Sequence, residues 1–313
     1  MANERMNRRQ FIKNAAALTA GAALAPSLME CAATAHAPSA ADSVALGKTG
    51  LRLSRLGFGA GSSSGRVQRD LGHEAFNRLV RYAYDRGITY IDTADGYKTH
   101  TWIREAIKGL PREKFFIQTK MGGIPEDPMK EIDRYREELG VDVIDSLLLH
   151  CKIKADWDES HKPLMDAFEK AKAKGIIRLH GVSCHSLPAL AKAARLDWVD
   201  VNLVRINPQG VAVDAPGEGW NEDGDASHVP AVLEQLAVMR AKGHGVIGMK
   251  LIGDGEFNRF EDRERSIRFA MQPGRVDAAV IGFKSTQEID EAILLINRAL
   301  AENPVPMEHK ENK

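Results

Sequence analysis

Asp92 ends the apolar run Ile88-Thr-Tyr-Ile, and Tyr97 follows five residues later within Ile91-Asp-Thr-Ala-Asp-Gly-Tyr. Lys120 closes the run Phe116-Ile-Gln-Thr-Lys, and His150 closes Leu147-Leu-Leu-His. A carboxylate, a phenol, an ammonium and an imidazole thus stand at the same end of three successive strand-like runs. Reduction of a carbonyl by hydride leaves negative charge on oxygen, which then needs a proton. A tyrosine suits that task if its pKa, about 10 when unperturbed, is lowered. A cationic Lys120 beside the phenol favours the phenolate and so lowers that pKa. Asp92 would keep Lys120 charged and oriented, and His150 would hydrogen-bond the substrate carbonyl and fix its pose. Each residue alone has a plain structural reading, as a turn carboxylate, a rim aromatic, a surface lysine and a satisfied histidine. Their common placement, in order, outweighs those readings.

The elements that must position them alternate strictly. Strand-like runs occur at residues 53–59, 88–91, 115–119, 143–149, 177–183, 199–204, 246–249 and 278–282. Most are continuously apolar, as strands covered on both faces require. Helical spacing separates them: Phe76, Leu79, Val80 and Ala83, then Leu164, Ala167, Phe168 and Ala171, then Ile289, Ala292, Ile293 and Ile296. Gly87, Gly140, Gly175 and Gly274 stand where helices should end in the left-handed conformation. Eight βα units predict an α/β fold, a single (β/α)8 barrel over residues 38–300 with a short charged tail at 301–313. A doubly wound sheet is the alternative. It would need a dinucleotide fingerprint, and Gly57-Phe-Gly-Ala-Gly61 fails it, with Ser at 62 and 64. That cluster reads instead as a turn where backbone approaches a ligand. Val44 to Leu53 predicts a hairpin turning at Lys48-Thr49. Two long connections, 151–162 with Trp157 and 207–228 with Trp220, fall on the C-terminal face, where the tryptophans would contact an aromatic or sugar-like substrate.

The chain of 313 residues carries 43 basic and 43 acidic side chains, with 43% hydrophobic and 27% charged residues. Zero net charge offers nothing to nucleic acid or an anionic membrane. No apolar run approaches the ~20 residues that span a bilayer. Asn7-Arg-Arg-Gln-Phe-Ile-Lys13, a weakly hydrophobic stretch to Ala25 and Ala35-His-Ala37 together predict a twin-arginine (Tat) signal at residues 1–37. The expectation is Tat-dependent export to a bacterial periplasm. Met29 and Glu30 before Cys31 argue against lipidation. Three cysteines without a CxxC pair predict neither a disulfide framework nor zinc.

The Asp92, Tyr97, Lys120 and His150 set, with the hairpin ahead of the first unit, resembles the aldo-keto reductases over residues 43–300. The resemblance implies carbonyl–alcohol interconversion on a small-molecule substrate, with Tyr97 as general acid and a nicotinamide cofactor. Gly181-Val-Ser-Cys-His resembles the family's fifth strand exit. This implies Ser183 and Cys184 at the carboxamide, although Cys184 replaces the usual Asn and Leu203 the usual Gln. No aromatic stacks after the seventh strand, leaving Met249 or Leu251. Gly282-Phe-Lys-Ser-Thr resembles the adenosine-phosphate loop, implying Lys284, Ser285 and Thr286 at phosphate and Lys250 at the pyrophosphate. Lys284 places NADP(H) ahead of NAD(H), with Glu288 and Glu291 where the family usually has Arg. A barrel that keeps the fold as a weakly catalytic binding protein is the competing class, and a non-redox isomerase a third.

Overall fold

The structure, a computed structural model, describes residues 37–219 and 224–302. The paired arginines of the export signal, Trp220 and the tail beyond residue 302 lie outside them.

The hairpin strands β1 (Ser43–Ala45) and β2 (Arg52–Ser54) pair antiparallel, Val44 opposite Leu53. Eight parallel strands follow: β3 (Leu56–Gly59), β4 (Tyr90–Asp92), β5 (Phe116–Met121), β6 (Ile144–Lys152), β7 (Ile177–Cys184), β8 (Val201–Arg205), β9 (Gly245–Met249) and β10 (Ala278–Gly282). They close in sequence order, β10 pairing with both β9 and β3. Closure leaves the barrel sheet without a free edge. The helices are α1 (Arg66–Asp70), α2 (His73–Asp85), α3 (His100–Ile107), α4 (Pro128–Leu139), α5 (Trp157–Ser160), α6 (Lys162–Ala173), α7 (Leu187–Ala193), α8 (Val229–Lys242), α9 (Phe260–Ala270) and α10 (Thr286–Glu302). The (β/α)8 expectation is met, and no glycine fingerprint for a doubly wound sheet is needed.

Two apolar clusters follow from strand alternation. Tyr90, Phe116, Leu148, Leu179, Leu203 and Ile247 fill the barrel interior. The alternate residues pack outward against the helices, with Phe76, Phe168 and Ile296 facing them. The expected helix-ending glycines all have positive φ: Gly87, Gly140, Gly175 and Gly274.

The hairpin closes one end of the interior cluster, to which it contributes Leu46 and Leu53. Its turn begins at Gly47, whose φ is 52°; a Cβ there would lie 2.4 Å from the His244 backbone. The Gly47 N–H donates to Asp277 Oδ2 at 3.0 Å. The same oxygen accepts from Val246 N at 2.9 Å, and Arg240 donates to Oδ1 at 3.2 Å. One carboxylate therefore ties the hairpin to the starts of β9 and β10. Asp277→Ala leaves two partly buried N–H groups without an acceptor and should cost about 2 kcal/mol. Urea unfolding checks this, and an unchanged midpoint would show that the hairpin is held by other contacts.

Candidate active site

Asp92 and Lys120 meet because β4 and β5 are neighbours. Asp92 pairs in register with Gln118, and Lys120 lies two residues on, facing the same way. Lys120 Nζ donates to Asp92 Oδ2 at 2.7 Å and to Thr93 O at 2.7 Å, and its side chain is 1% exposed. Gln118 Nε2 donates to the other Asp92 oxygen and to Tyr90 Oη, both at 2.9 Å. On β6, Leu148 is the register partner of Lys120, and His150 follows on the same face.

Tyr97 ends a single 3-10 turn, Asp95–Tyr97, leaving β4. Thr93 and Thr99 hydroxyls bridge the loop at 2.8 Å, and Arg134 holds Asp95 at 2.9 Å. Arg69 of α1 donates to the Tyr97 carbonyl oxygen. The phenol ring lies against bare backbone at Gly61, where a Cβ would be 2.3 Å from it. Its Oη stands 3.2 Å from His150 Nε2, with Lys120 Nζ 5.0 Å from the ring centre. The structure therefore brings together all four residues singled out in the sequence. Gln118, Arg69 and Gly61, which secure them, were not anticipated in these roles.

The electrostatics depart from the sequence expectation in one respect. Burial first, then the negative charge of Asp92, pushes the Tyr97 phenol well above the usual tyrosine range. Burial and the Asp92 charge outweigh the Lys120 ammonium, which is paired with Asp92 at 2.7 Å. The phenol thus holds its proton firmly in the free protein. His150 is pushed down to about 3 by burial and by Lys120 and Lys152, so its imidazole is neutral.

A cleft of ≈ 490 Å³ extends from Asp92 and Tyr97 to the first turns of α10. Gly59 and Gly61 line one part of it, and Met249, Lys250 and Leu251 another. A Cβ on neighbouring Gly282 would come within 2.0 Å of Ser62 Oγ, so bare backbone keeps this wall thin. Such a wall, with Tyr97 at one end and the first turns of α10 at the other, suits an extended ligand.

Not every expected cofactor residue reaches the cleft. Ser183 is buried, and its hydroxyl has no hydrogen-bond partner among the described residues. Cys184 packs outward in the layer between strands and helices. His185, one residue further, lines the cleft and lies 3.4 Å from Cys151 Sγ. Lys250 is at the wall, with Nζ 2.8 Å from Asp254. Lys284 also lines the cleft, whereas Ser285 and Thr286 are absent from its lining. Ser285 Oγ instead accepts from Glu288 N at 3.3 Å as the cap of α10. Trp157 is buried and donates to Ala189 O at 3.1 Å, so it serves the core and makes no wall for a substrate.

A closed barrel with a buried Asp–Lys pair beneath a tyrosine and a neutral histidine defines a recognisable class. The family model of the aldo/keto reductase family matches residues 55–308, and the chain belongs to that family. It is 29% identical over 225 residues to L-galactose dehydrogenase of Arabidopsis thaliana, covering 67% of this chain and 65% of the relative. It is 26% identical over 201 residues to D-threo-aldose 1-dehydrogenase of a Pseudomonas species, covering 53% and 60%. The chain thus spans less than two thirds of the length of these relatives. The solved structure of an aldo-keto reductase from Klebsiella pneumoniae in complex with NADPH superposes with a TM-score of 0.59. That pair is 18% identical, and the match covers 84% of this chain and 96% of the other.

Asp92→Asn removes the charge that, after burial, most disfavours the phenolate, and it frees the Lys120 ammonium. Ionisation of Tyr97 should move to lower pH. Alkaline titration of tyrosine-labelled protein by NMR, with Tyr97→Phe to assign the signal, measures this. An unmoved midpoint would show that the Asp92 charge does not reach the phenol.

Proposed function

We propose that the chain is a nicotinamide-dependent oxidoreductase that interconverts a carbonyl and an alcohol, with Tyr97 giving or taking the proton. The observation that carries the reading is Tyr97 Oη, 3.2 Å from a neutral His150 and beside the buried Lys120–Asp92 pair, at the end of a long cleft. A bound nicotinamide supplies or accepts the hydride. Tyr97 supplies the proton at Oη. His150, neutral and therefore able to donate one hydrogen bond, orients the substrate oxygen between itself and the phenol. Lys120 holds positive charge where a phenolate would form, which matters most once the proton has left. Asp92 and Thr93 fix the position of that charge. Gly59 and Gly61 would line the path of the dinucleotide, and Met249 and Leu251 would offer its nicotinamide an apolar surface.

Two relatives are named for dehydrogenation of an aldose at C1 and of L-galactose, so aldoses, offered for oxidation of the hemiacetal hydroxyl, are the first substrates to try beside simple aldehydes. The competing reading is a weakly catalytic binding barrel. It draws support from the outward Cys184 and the buried Ser183, which weaken the hold on a carboxamide. Tyr97→Phe separates the two. Turnover of an aldehyde should fall by about two to four powers of ten while dinucleotide binding, read by fluorescence, persists. A variant as active as the parent would sink the assignment of Tyr97.

The export expectation joins this reading as a further part of the proposal. The Arg8-Arg9 pair and the Ala35-His-Ala37 exit support a twin-arginine route, which carries folded proteins. The barrel would then leave the cytoplasm with its dinucleotide already bound. Denaturing protein from the periplasmic fraction should release that dinucleotide in near-stoichiometric amount. Barrels that are empty there, and active only after dinucleotide is added, would contradict cofactor-loaded export.

A further inference from the structure

The reading above leaves open which dinucleotide is taken, and the far end of the cleft bears on it. Arg263, Lys284, Gln287, Glu288 and Glu291 are among the residues that line it there. The expectation of NADP(H) rests on Lys284 meeting a 2′-phosphate. In the structure that lysine is exposed and already faces a carboxylate. Its Nζ lies 3.6 Å from Glu288 Oε1, and its own backbone N–H donates to Glu288 Oε2 at 2.7 Å. The amide that would receive a phosphate oxygen ahead of the helix therefore already faces a carboxylate.

The other cation is committed as well. Arg263 grips Glu291 with two parallel bonds, Nε to Oε1 at 2.5 Å and Nη2 to Oε2 at 3.0 Å. Its Nη1 donates to the carbonyl oxygens of Phe257 and Asn258, both at 2.9 Å. A bidentate pair of this kind is the stronger form of ion pair, and its geometry also fixes the guanidinium plane. Little donor capacity remains on Arg263 for a ligand.

We infer that this end of the cleft selects NAD(H) over NADP(H), with Glu288 reading the 2′- and 3′-hydroxyls of the adenosine ribose. A carboxylate accepts from a ribose diol and repels a 2′-phosphate, the same discrimination that an acidic residue makes in dinucleotide folds of other architecture. Glu288 has a plainer structural duty, since one of its oxygens satisfies the amide before the helix. That duty uses Oε2. Oε1 has only the exposed Lys284 ammonium near it, at 3.6 Å, and can accept from a hydroxyl donor. A 2′-phosphate, carrying between one and two negative charges, would have to displace Glu288 from Lys284 or share the corner with Glu288 and Glu291.

The inference rests on the proposed nicotinamide dependence, and binding measurements separate the two. Full-length chain is titrated with NADH and with NADPH at one ionic strength, followed by calorimetry and by energy transfer from tryptophan. NADH should bind at least about tenfold more tightly. Glu288→Gln keeps an acceptor for the Lys284 amide but loses the charge. It should weaken NADH and strengthen NADPH, narrowing the ratio by about tenfold. Glu291→Gln, which releases Arg263, should strengthen NADPH alone. Circular dichroism and thermal melts confirm that both variants are folded. Tighter NADPH binding by the parent, or an unchanged ratio in Glu288→Gln, overturns the selectivity while leaving the oxidoreductase reading standing. Absence of binding to either dinucleotide by the folded parent overturns both.

Discussion

The site depends on one buried ion pair. Lys120 and Asp92 are 2.7 Å apart, with side chains 1% and 7% exposed. Stripping water from two charges costs several kcal/mol for each, and mutual attraction repays this only when geometry is good and the remaining polar atoms are satisfied. Here both carboxylate oxygens are satisfied, the second by Gln118, and Thr93 O takes a second ammonium proton. Gln118 is held in turn against Tyr90 Oη inside the barrel. The arrangement exists because β4 and β5 are adjacent and parallel, with Asp92 opposite Gln118. A register slip of one residue would turn Lys120 to the helix layer and leave Asp92 as a lone buried charge.

The pair also sets the character of Tyr97. A free lysine beside a phenol would acidify it, but a lysine already matched by a carboxylate does so weakly. Burial and Asp92 then prevail, and the phenol keeps its proton in the free protein. This suits the proposed role of proton donor to a substrate oxygen, with Lys120 5.0 Å from the ring centre to offset the charge left behind. His150 complements it. Held neutral by burial and by the lysines near it, it can take part in hydrogen bonding without adding a second positive charge.

Much of this was legible in the sequence, for reasons that can be named. Continuous apolar runs with helical spacing between them dictate a parallel barrel, since strands covered on both faces leave no polar side. Strand ends were visible where the apolar run stopped at Asp92, Lys120 and His150, so the four residues could be placed on one face. What depends on orientation was not legible. Ser183, Cys184 and His185 are consecutive, and alternation along β7 sends Cys184 outward while His185 reaches the cleft. Trp157 sits in a loop by position, yet its indole is buried and satisfied by Ala189. The direction of the Tyr97 shift depends on burial, which no local motif reports. The Lys284–Glu288 spacing was readable as an i, i+4 pair, but its backbone bond to the same carboxylate was not.

The central claim is hydride transfer to carbon with the proton delivered by Tyr97. The most direct test supplies the protein with dinucleotide deuterated at the transferable position of the nicotinamide ring, together with a panel of aldehydes and sugar aldehydes, and reads the products by mass spectrometry. The account predicts one deuterium on the carbinol carbon of at least one product, with the label lost together with turnover in Tyr97→Phe. Dinucleotide that binds without any labelled alcohol appearing, or product whose new hydrogen comes only from solvent, would contradict it.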